Sequence, residues 1–346
     1  MNPENATRDC LNKLVDKTDL TAEETRLVIR AIMSGELSDA QIAGFLVALR
    51  MKGETPTKIA EMAKVMREFA AAISPKVSGT LVDTCGTGGD RKGTINVSTA
   101  AMFVAAGAGV PIAKHGNRSV SSKCGSADIL EELGVKIDLP PKKTEECIEK
   151  VGIGFMFAPV FHTAMKHVMP ARKQLGIRTV FNVLGPLTNP ANAKGQIMGV
   201  FDGALTEKLA EVLKRVGVER AYVVHGVDGL DEISLTGETK ISELWGGTIR
   251  TYNVKPKDFG LPTARLEDIK GGDSNENARI LKDILGGKER GAKRDIVALN
   301  AAAAIACGGL AKDIKEGIPI AEKVIDSGKA LKKLEDLIQY SQKLAK

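Results

Sequence analysis

Leu81-Val82-Asp83-Thr84-Cys85-Gly86-Thr87-Gly88-Gly89-Asp90 decides the reading of this chain. Two apolar residues lead into a loop with three glycines in four positions, and an acid closes it. Without Cβ atoms, the backbone N–H groups of such a loop can turn inward and approach an anion closely. Asn96-Val97-Ser98-Thr99 and the apolar, alanine-rich residues 100–107 follow. They predict a helix with Ser98 or Thr99 as N-cap, and a helix N-terminus favours negative charge. Strand, glycine loop and helix start together describe a phosphate site.

Spacing separates this loop from the common nucleotide motifs. A dinucleotide G-x-G-x-x-G would need glycine where Arg91 stands, and a P-loop counted from Gly88 would need lysine where Thr94 stands. Two further segments add chemistry within fifty residues. Lys114-His115-Gly116-Asn117-Arg118 follows the apolar residues 110–113, a basic and polar cluster expected at the carboxyl end of a strand, where open α/β folds bind ligands. Ser121-Ser122-Lys123-Cys124-Gly125-Ser126-Ala127-Asp128 supplies hydroxyls and a glycine ahead of the apolar residues 129–133.

The chain divides at about residue 75. Residues 1–75 carry four helical patterns, with capping boxes at Thr21-Ala22-Glu23-Glu24 and Ser38-Asp39-Ala40-Gln41. Gly35 and Gly53 fall where C-terminal caps belong, and Thr55-Pro56 opens the fourth helix. Beyond Gly79, short apolar runs at 112–113, 155–157, 197–201 and 221–224 alternate with helical stretches. That alternation predicts an α/β fold: a small all-helical N-terminal domain (1–75) and a larger domain (76–346) whose mainly parallel central sheet is flanked by helices. Prolines 159, 170, 186 and 190 break residues 159–190 into short pieces. A cleft between the two domains is the expected site.

Composition restricts the function classes. Five cysteines, odd in number and without a C-x-x-C, argue against a disulfide framework or zinc site and for a reducing cytoplasm. The first residues lack the basic and apolar regions of a signal peptide. Residues 296–311 are apolar but too short to span a bilayer and include Asn300, so they read as a buried helix. The net charge of +6 invites a nucleic-acid reading, yet residues 1–75 hold ten basic and eleven acidic side chains. Positive charge gathers instead at 114–123 and in the lysine-rich tail, without aromatic residues interleaved for stacking on bases. The tail's lysines alternate with Leu331, Leu334, Leu337 and Ile338, the pattern of an amphipathic surface helix.

Asp231-Glu232 follow a strand and the turn His225-Gly226-Val227-Asp228-Gly229. Adjacent acids on a turn are either solvated or hard oxygen ligands for a cation such as Mg²⁺. His162 and His167, five apart, would not share a helix face as a metal pair. No arrangement of Ser, His and Asp or of Cys and His suggests a covalent nucleophile.

In order along the chain, the blocks above resemble the anthranilate phosphoribosyltransferases of tryptophan biosynthesis. The resemblance continues through Phe157-Ala158-Pro159-x-Phe161-His162, Arg172-Lys173-x-Leu175-Gly176-x-Arg178-Thr179, Asn182-x-Leu184-Gly185-Pro186-Leu187-x-Asn189-Pro190 and His225-Gly226-x-Asp228-Gly229-Leu230-Asp231-Glu232. It covers most of residues 81–235, departing at Thr163, where proline often follows the histidine, and at Cys124, where serine is usual.

The resemblance implies a nucleoside phosphorylase-like phosphoribosyltransferase architecture, with part of 159–190 packing onto the N-terminal helices, and a homodimer. It implies transfer of phosphoribose from 5-phosphoribosyl 1-diphosphate (PRPP) to the amine of anthranilate. PRPP would be held by Gly86, Gly89, Asp90, Thr94, Asn96, Val97, Ser98, Thr99, Lys114, His115, Gly116, Asn117, Arg118, Ser119, Val120, Ser121, Ser122 and Ser126. Anthranilate would meet Gly86, Asn117, Ala158, His162, Arg172 and Gly185, with Arg172 on its carboxylate. Mg²⁺ would sit on Ser98, Asp231 and Glu232. His115, by proximity alone, is a candidate to accept the amine proton. The competing readings are a pyrimidine nucleoside phosphorylase-like enzyme, which needs a base-binding set in place of Arg172, and a non-catalytic nucleic-acid-binding relative.

Overall fold

The computed structural model describes residues 3–89, 92–119 and 124–346. Four helices come first: α1 (Pro3–Val15), α2 (Ala22–Ser34), α3 (Asp39–Lys52) and α4 (Pro56–Glu68). Their ends are set locally. Thr21 and Ser38 make the two capping boxes, Gly35 closes α2 in the left-handed region, and Thr55 caps α4 with Pro56 at its first position.

The α/β part continues with β1 (Val82–Gly86), α5 (Val97–Ala108), β2 (Ile112–Gly116), α6 (Ser126–Glu132), α7 (Pro141–Val151) and β3 (Ile153–Phe157). The short helices α8 (Ala158–Phe161), α9 (Met169–Leu175) and α10 (Phe181–Leu184) lead to β4 (Gly195–Gly199), α11 (Leu205–Arg215) and β5 (Arg220–Gly226). A hairpin, β6 (Thr239–Trp245) and β7 (Thr248–Val254), precedes α12 (Ser274–Leu285), α13 (Ala292–Cys307), α14 (Ile314–Asp326) and α15 (Lys329–Ala345). The seven strands lie in the order β3-β2-β1-β4-β5-β6-β7, the first five parallel and the last two antiparallel. The mainly parallel sheet matches the sequence reading, which had not foreseen the antiparallel hairpin. The strand expected at 197–201 runs two residues earlier.

Alternation along the strands sorts side chains onto two faces, because successive Cβ atoms point to opposite sides. Ile197, Tyr222, Val224 and Ile241 enter one core with α5 and α13, while Met198, Ala221, Val223 and Leu244 enter another with α11. That second core also contains Val28, Ile32, Phe45, Leu49, Met62 and Met66 from the N-terminal helices, together with Val168, Ala171, Val180 and Phe181. The N-terminal helices therefore pack onto the α/β part through shared apolar burial.

Residues 296–307 of α13 are all buried, and Asn300 is satisfied there by three hydrogen bonds. The helix ends at Cys307, four residues short of the apolar run. In α15, Leu334 and Leu337 are buried while most of the lysines face outward. Among the described residues no helix is long and apolar enough to cross a membrane.

Candidate active site

Strand order changes direction at β1 and β4: β2 lies on one side of β1, and β4 on the other. Crevices at such switch points, outside the carboxyl ends of the strands, are where open α/β sheets bind ligands. Gly86 and Gly199, the last residues of β1 and β4, are paired across this point.

The glycine loop leaves β1 with Gly88 and Gly89 at φ 66° and 86°, in the region that favours glycine. Thr87 fastens it to β4 by donating its N–H to the Gly199 carbonyl (2.9 Å), and its hydroxyl accepts the Phe201 N–H (3.2 Å). The helix expected after the loop is α5, but its N-cap is Asn96. Ser98 and Thr99 fall within the first turn, because Ile95 is already tied to Ile269 and the chain turns two residues earlier than expected. Asn96 makes no capping bond. It donates to the Cys124 carbonyl (3.0 Å) and accepts from Asn277 (3.1 Å), bridging the loop to α12.

Asp231 and Glu232 come back to this loop from beyond β5. Gly88 donates its N–H to Asp231 Oδ2 (2.9 Å), and Ser98 donates its N–H to Glu232 Oε1 (3.1 Å), so the two carboxylates bracket the loop and the helix start. Asp228 shapes the turn before them by accepting from Ser234, Thr236 and the Leu230 N–H. Immediately after them, Ile233 exchanges two 3.0 Å hydrogen bonds with Asn300 of α13.

Lys114 and His115 differ from the expectation of a cluster beyond a strand: β2 extends to Gly116, so both are buried strand residues. Lys114 Nζ donates to the Thr84 carbonyl and lies 3.4 Å from Ser98 Oγ. Burial pulls its pKa down, opposed by Asp83, Glu232 and Asp231. Asp83, fully buried, accepts from the His115 N–H (3.2 Å) and from Asn189 (2.7 Å), and burial raises its carboxyl to about 6.

The rings of His115 and His162 lie tilted against each other, with centroids 4.9 Å apart and planes at 52°. Burial lowers His115 to about 3 and His162 to about 4, so both imidazoles are neutral near pH 7. Nδ1 of His115 donates to the Gly185 carbonyl (3.2 Å), and the buried Nε2 atoms of both rings have no hydrogen-bond partner among the described residues. An unsatisfied buried polar atom costs about 1–3 kcal/mol, which a bound ligand would recover. Ala158 opens α8 directly after β3, and Gly185 ends α10.

Gly116, Asn117 and Ser126 gather at the end of β2, where the Asn117 carbonyl accepts from Ser126 Oγ (3.3 Å) and from the Ala127 N–H (3.2 Å). Arg118 is engaged elsewhere, with Asp128 (3.1 Å) and Glu131 (2.8 Å), while Asp128 also accepts the Ser119 N–H (3.0 Å). Val97 and Thr99 are buried in the first turn of α5, and Thr94 bridges to Lys270. Arg172 on α9 has its guanidinium half-buried 5.7 Å from the Phe181 ring, with no carboxylate partner among the described residues. Asp90, Val120, Ser121 and Ser122 lie outside the described residues.

Four contributors are not found by the sequence reading. Arg178 reaches the glycine loop, Asn300 clamps the acid segment, and Asp83 with Asn189 underpins β2. The lone asparagine in an apolar helix was the one available signal; the other contacts join residues 89 and 106 apart. The thiols of Cys85 and Cys124 are buried, with pKa values raised well above normal for Cys85 and to about 11 for Cys124, which suits neither to be a nucleophile.

The oxygens of Ser98, Asp231 and Glu232 are hard donors, the chemistry that suits Mg²⁺. Among the described residues no cluster of three or more His, Cys, Asp or Glu side chains could hold a metal alone. Two carboxylates and a hydroxyl, completed by substrate phosphates, is the kind of site Mg²⁺ takes.

Comparison with known proteins places the chain in a family. Residues 8–70 match the helical bundle domain of the glycosyl transferase family, and residues 78–331 its a/b domain. The chain is 54% identical to the anthranilate phosphoribosyltransferase of Alkaliphilus metalliredigens over 97% of its own length and 99% of that protein's. The crystal structure of the Thermus thermophilus anthranilate phosphoribosyltransferase superposes with a TM-score of 0.92 at 46% identity, covering 96% of this chain and 99% of that one. The Saccharomyces cerevisiae enzyme, solved with PRPP and Mg, superposes at 0.90 with 31% identity over 98% and 99% of the two chains. In complex with 4-fluoroanthranilate the same enzyme gives 0.87 at 30% identity, over 98% and 99%. With family profiles and relatives agreeing along nearly its whole length, the chain belongs to the anthranilate phosphoribosyltransferases, pentosyltransferases that move 5-phosphoribose from PRPP to the amine of anthranilate.

Proposed function

We propose that the crevice at the β1–β4 switch point holds PRPP with its diphosphate over the glycine loop. The observation that carries this reading is the convergence of Asp231, Glu232, Ser98 and the buried Lys114 on one loop and one helix start. Ser98, Asp231 and Glu232 would hold Mg²⁺, in keeping with the yeast relative, solved in complex with PRPP and Mg. Bound there, the ion would neutralise charge on the departing diphosphate.

The chain's own residues do the rest. Lys114 places a desolvated cation beside the leaving group, where low dielectric strengthens its attraction. To phosphates and ribose we assign Gly86, Gly89, Asp90, Thr94, Asn96, Val97, Thr99, Gly116, Ser119, Val120, Ser121, Ser122 and Ser126. Arg118, paired with Asp128 and Glu131, contributes less charge than a free guanidinium would. On the acceptor side, Arg172 receives the anthranilate carboxylate as a planar fork, with Gly86, Asn117, Ala158, His162 and Gly185 around the ring. Substitution at the anomeric carbon passes through an oxocarbenium-like state, so positioning of the amine dominates. With its pKa near 3, His115 is too weakly basic to hold the amine proton; its Nε2 lone pair serves as a hydrogen-bond acceptor that orients the amine.

We further assign the chain to tryptophan biosynthesis, as a cytoplasmic homodimer whose helical domain ends near residue 75. A nucleoside phosphorylase-like activity finds no support in the relatives, and the absence of stacking aromatics weighs against a nucleic-acid role. The test is direct: protein, Mg²⁺, PRPP and anthranilate are mixed and the fluorescence of anthranilate is followed. Its loss only with PRPP and Mg²⁺ present supports the reading; persistence would overturn it.

A further inference from the structure

Arg178 makes three contacts that together span the molecule. Its Nη2 donates to the Gly89 carbonyl (2.9 Å), its guanidinium lies over the Phe201 ring at 3.9 Å, and its own carbonyl accepts from Arg50 of α3. Phe201 is itself tied to the loop, since its N–H donates to Thr87 Oγ1. A closed ring of contacts therefore runs Thr87–Gly89–Arg178–Phe201, and Arg50 connects it to the N-terminal helices. The fit is close: a Cβ on Gly89 would stand 2.6 Å from Arg178 Nη2.

We propose that Arg178 is a positioning residue that sets the glycine loop for PRPP and couples it to the N-terminal helical domain through Arg50. Stacking fixes the guanidinium plane, and the plane fixes the direction of the bond to Gly89. Gly88 and Gly89 have no side chains to hold their conformation, so the loop's shape depends on what grips its backbone. Displacement of α3 pulls on the Arg178 carbonyl, and that pull reaches the loop through one residue. The inference rests on the reading of the loop as the PRPP site.

The experiment compares Arg178→Met, Arg178→Lys, Arg50→Met and Gly89→Ala, measuring kcat and the KM of each substrate, with thermal unfolding alongside. Misplacing a substrate-holding loop costs roughly 100-fold, so Arg178→Met should lose about that much in kcat/KM for PRPP while the anthranilate KM moves less than about twofold. Lysine keeps the charge but loses the fork and the stack, so it should restore little, and Arg50→Met should give a weaker form of the same split. Full rescue by lysine would mean that Arg178 acts only as a charge and would overturn the proposal. So would a fall in kcat alone with a lowered Tm and both KM values intact, the mark of a purely structural residue. If Gly89→Ala impairs PRPP use and Arg178→Met does not, the proposal fails while the loop remains the PRPP site. If neither variant affects PRPP, the loop assignment falls and the proposal with it.

Discussion

Gly199 and Asp231 approach so closely that a Cβ placed on Gly199 would stand 1.6 Å from the Asp231 carbonyl oxygen. The end of β4 and the acid segment beyond β5 thus meet backbone to backbone, and only glycine permits it. The neighbouring Gly86 meets the Asp231 side chain, with a Cβ 2.8 Å from Oδ2. Gly199→Ala should displace Asp231 bodily, at an overpacking cost of about 1–3 kcal/mol and a loss of roughly 100-fold in kcat/KM for PRPP. Gly86→Ala should do less, because a side chain can swing where a backbone cannot. Steady-state kinetics and thermal melts of both variants check this; equal effects would contradict it.

Replacing Asp231 and Glu232 together by alanine should abolish most Mg²⁺-dependent turnover. A catalytic ion is worth several kcal/mol of charge stabilisation, so kcat should drop by three orders of magnitude or so. Stability should change far less than turnover, since the Gly88 and Ser98 N–H groups that these carboxylates accept from are partly exposed and can turn to water. Mg²⁺ titration of activity is the measurement, and an unchanged response would remove both residues from the metal site.

Arg172→Ala should raise the anthranilate KM by the equivalent of about 2–4 kcal/mol, the range for removing one member of a desolvated charge pair. The guanidinium is half-buried with no carboxylate partner among the described residues, which suits it to pair with the carboxylate we assign to it. PRPP binding, followed by calorimetry without anthranilate, should barely change. Arg172→Lys should recover only part of the loss.

Acid should destabilise the fold in a defined window. His115 and His162 have pKa values lowered to about 3 and about 4, so each contributes stability above the unfolded value near 6.5 that is lost as pH falls through the folded value. Asp83 is raised to about 6, so its contribution runs the other way: full below its unfolded value, it is lost as pH rises through 6. Between pH 6 and 4 two histidine protons favour the unfolded chain and one aspartate proton the folded one. These three groups therefore leave a net slope of about 1.4 kcal/mol per pH unit. Urea unfolding at several pH values should show His162→Asn flattening this slope and Asp83→Asn steepening it. A slope unchanged by His162→Asn would mean that the ring is charged in the folded protein.

Local order was legible in the sequence because its causes lie within a few residues. The capping boxes at Thr21 and Ser38, the proline start of α4, the glycine loop after β1 and the alternation of strands with helices each follow from neighbouring side chains and the hydrogen bonds they offer. The family motifs were legible for the same reason, as short runs in a fixed order. The β6–β7 hairpin was not, since its two-residue turn, Gly246-Gly247, carries weight only once a sheet edge exists to receive it.

Tertiary structure alone decided how the site is assembled. Asp231 reaches Gly88 across 143 residues and Glu232 reaches Ser98 across 134, through the parallel register of β1, β4 and β5 and a turn anchored by Asn300. It also made Lys114 and His115, expected at the end of a strand, buried residues within one, with desolvation shifting both pKa values, and placed Arg178 on a loop 89 residues away. Helix caps and turns are settled by short-range hydrogen bonding, whereas burial, charge and the meeting of distant groups depend on which faces of the sheet the helices cover. Those long-range choices are made by the packing of the whole chain.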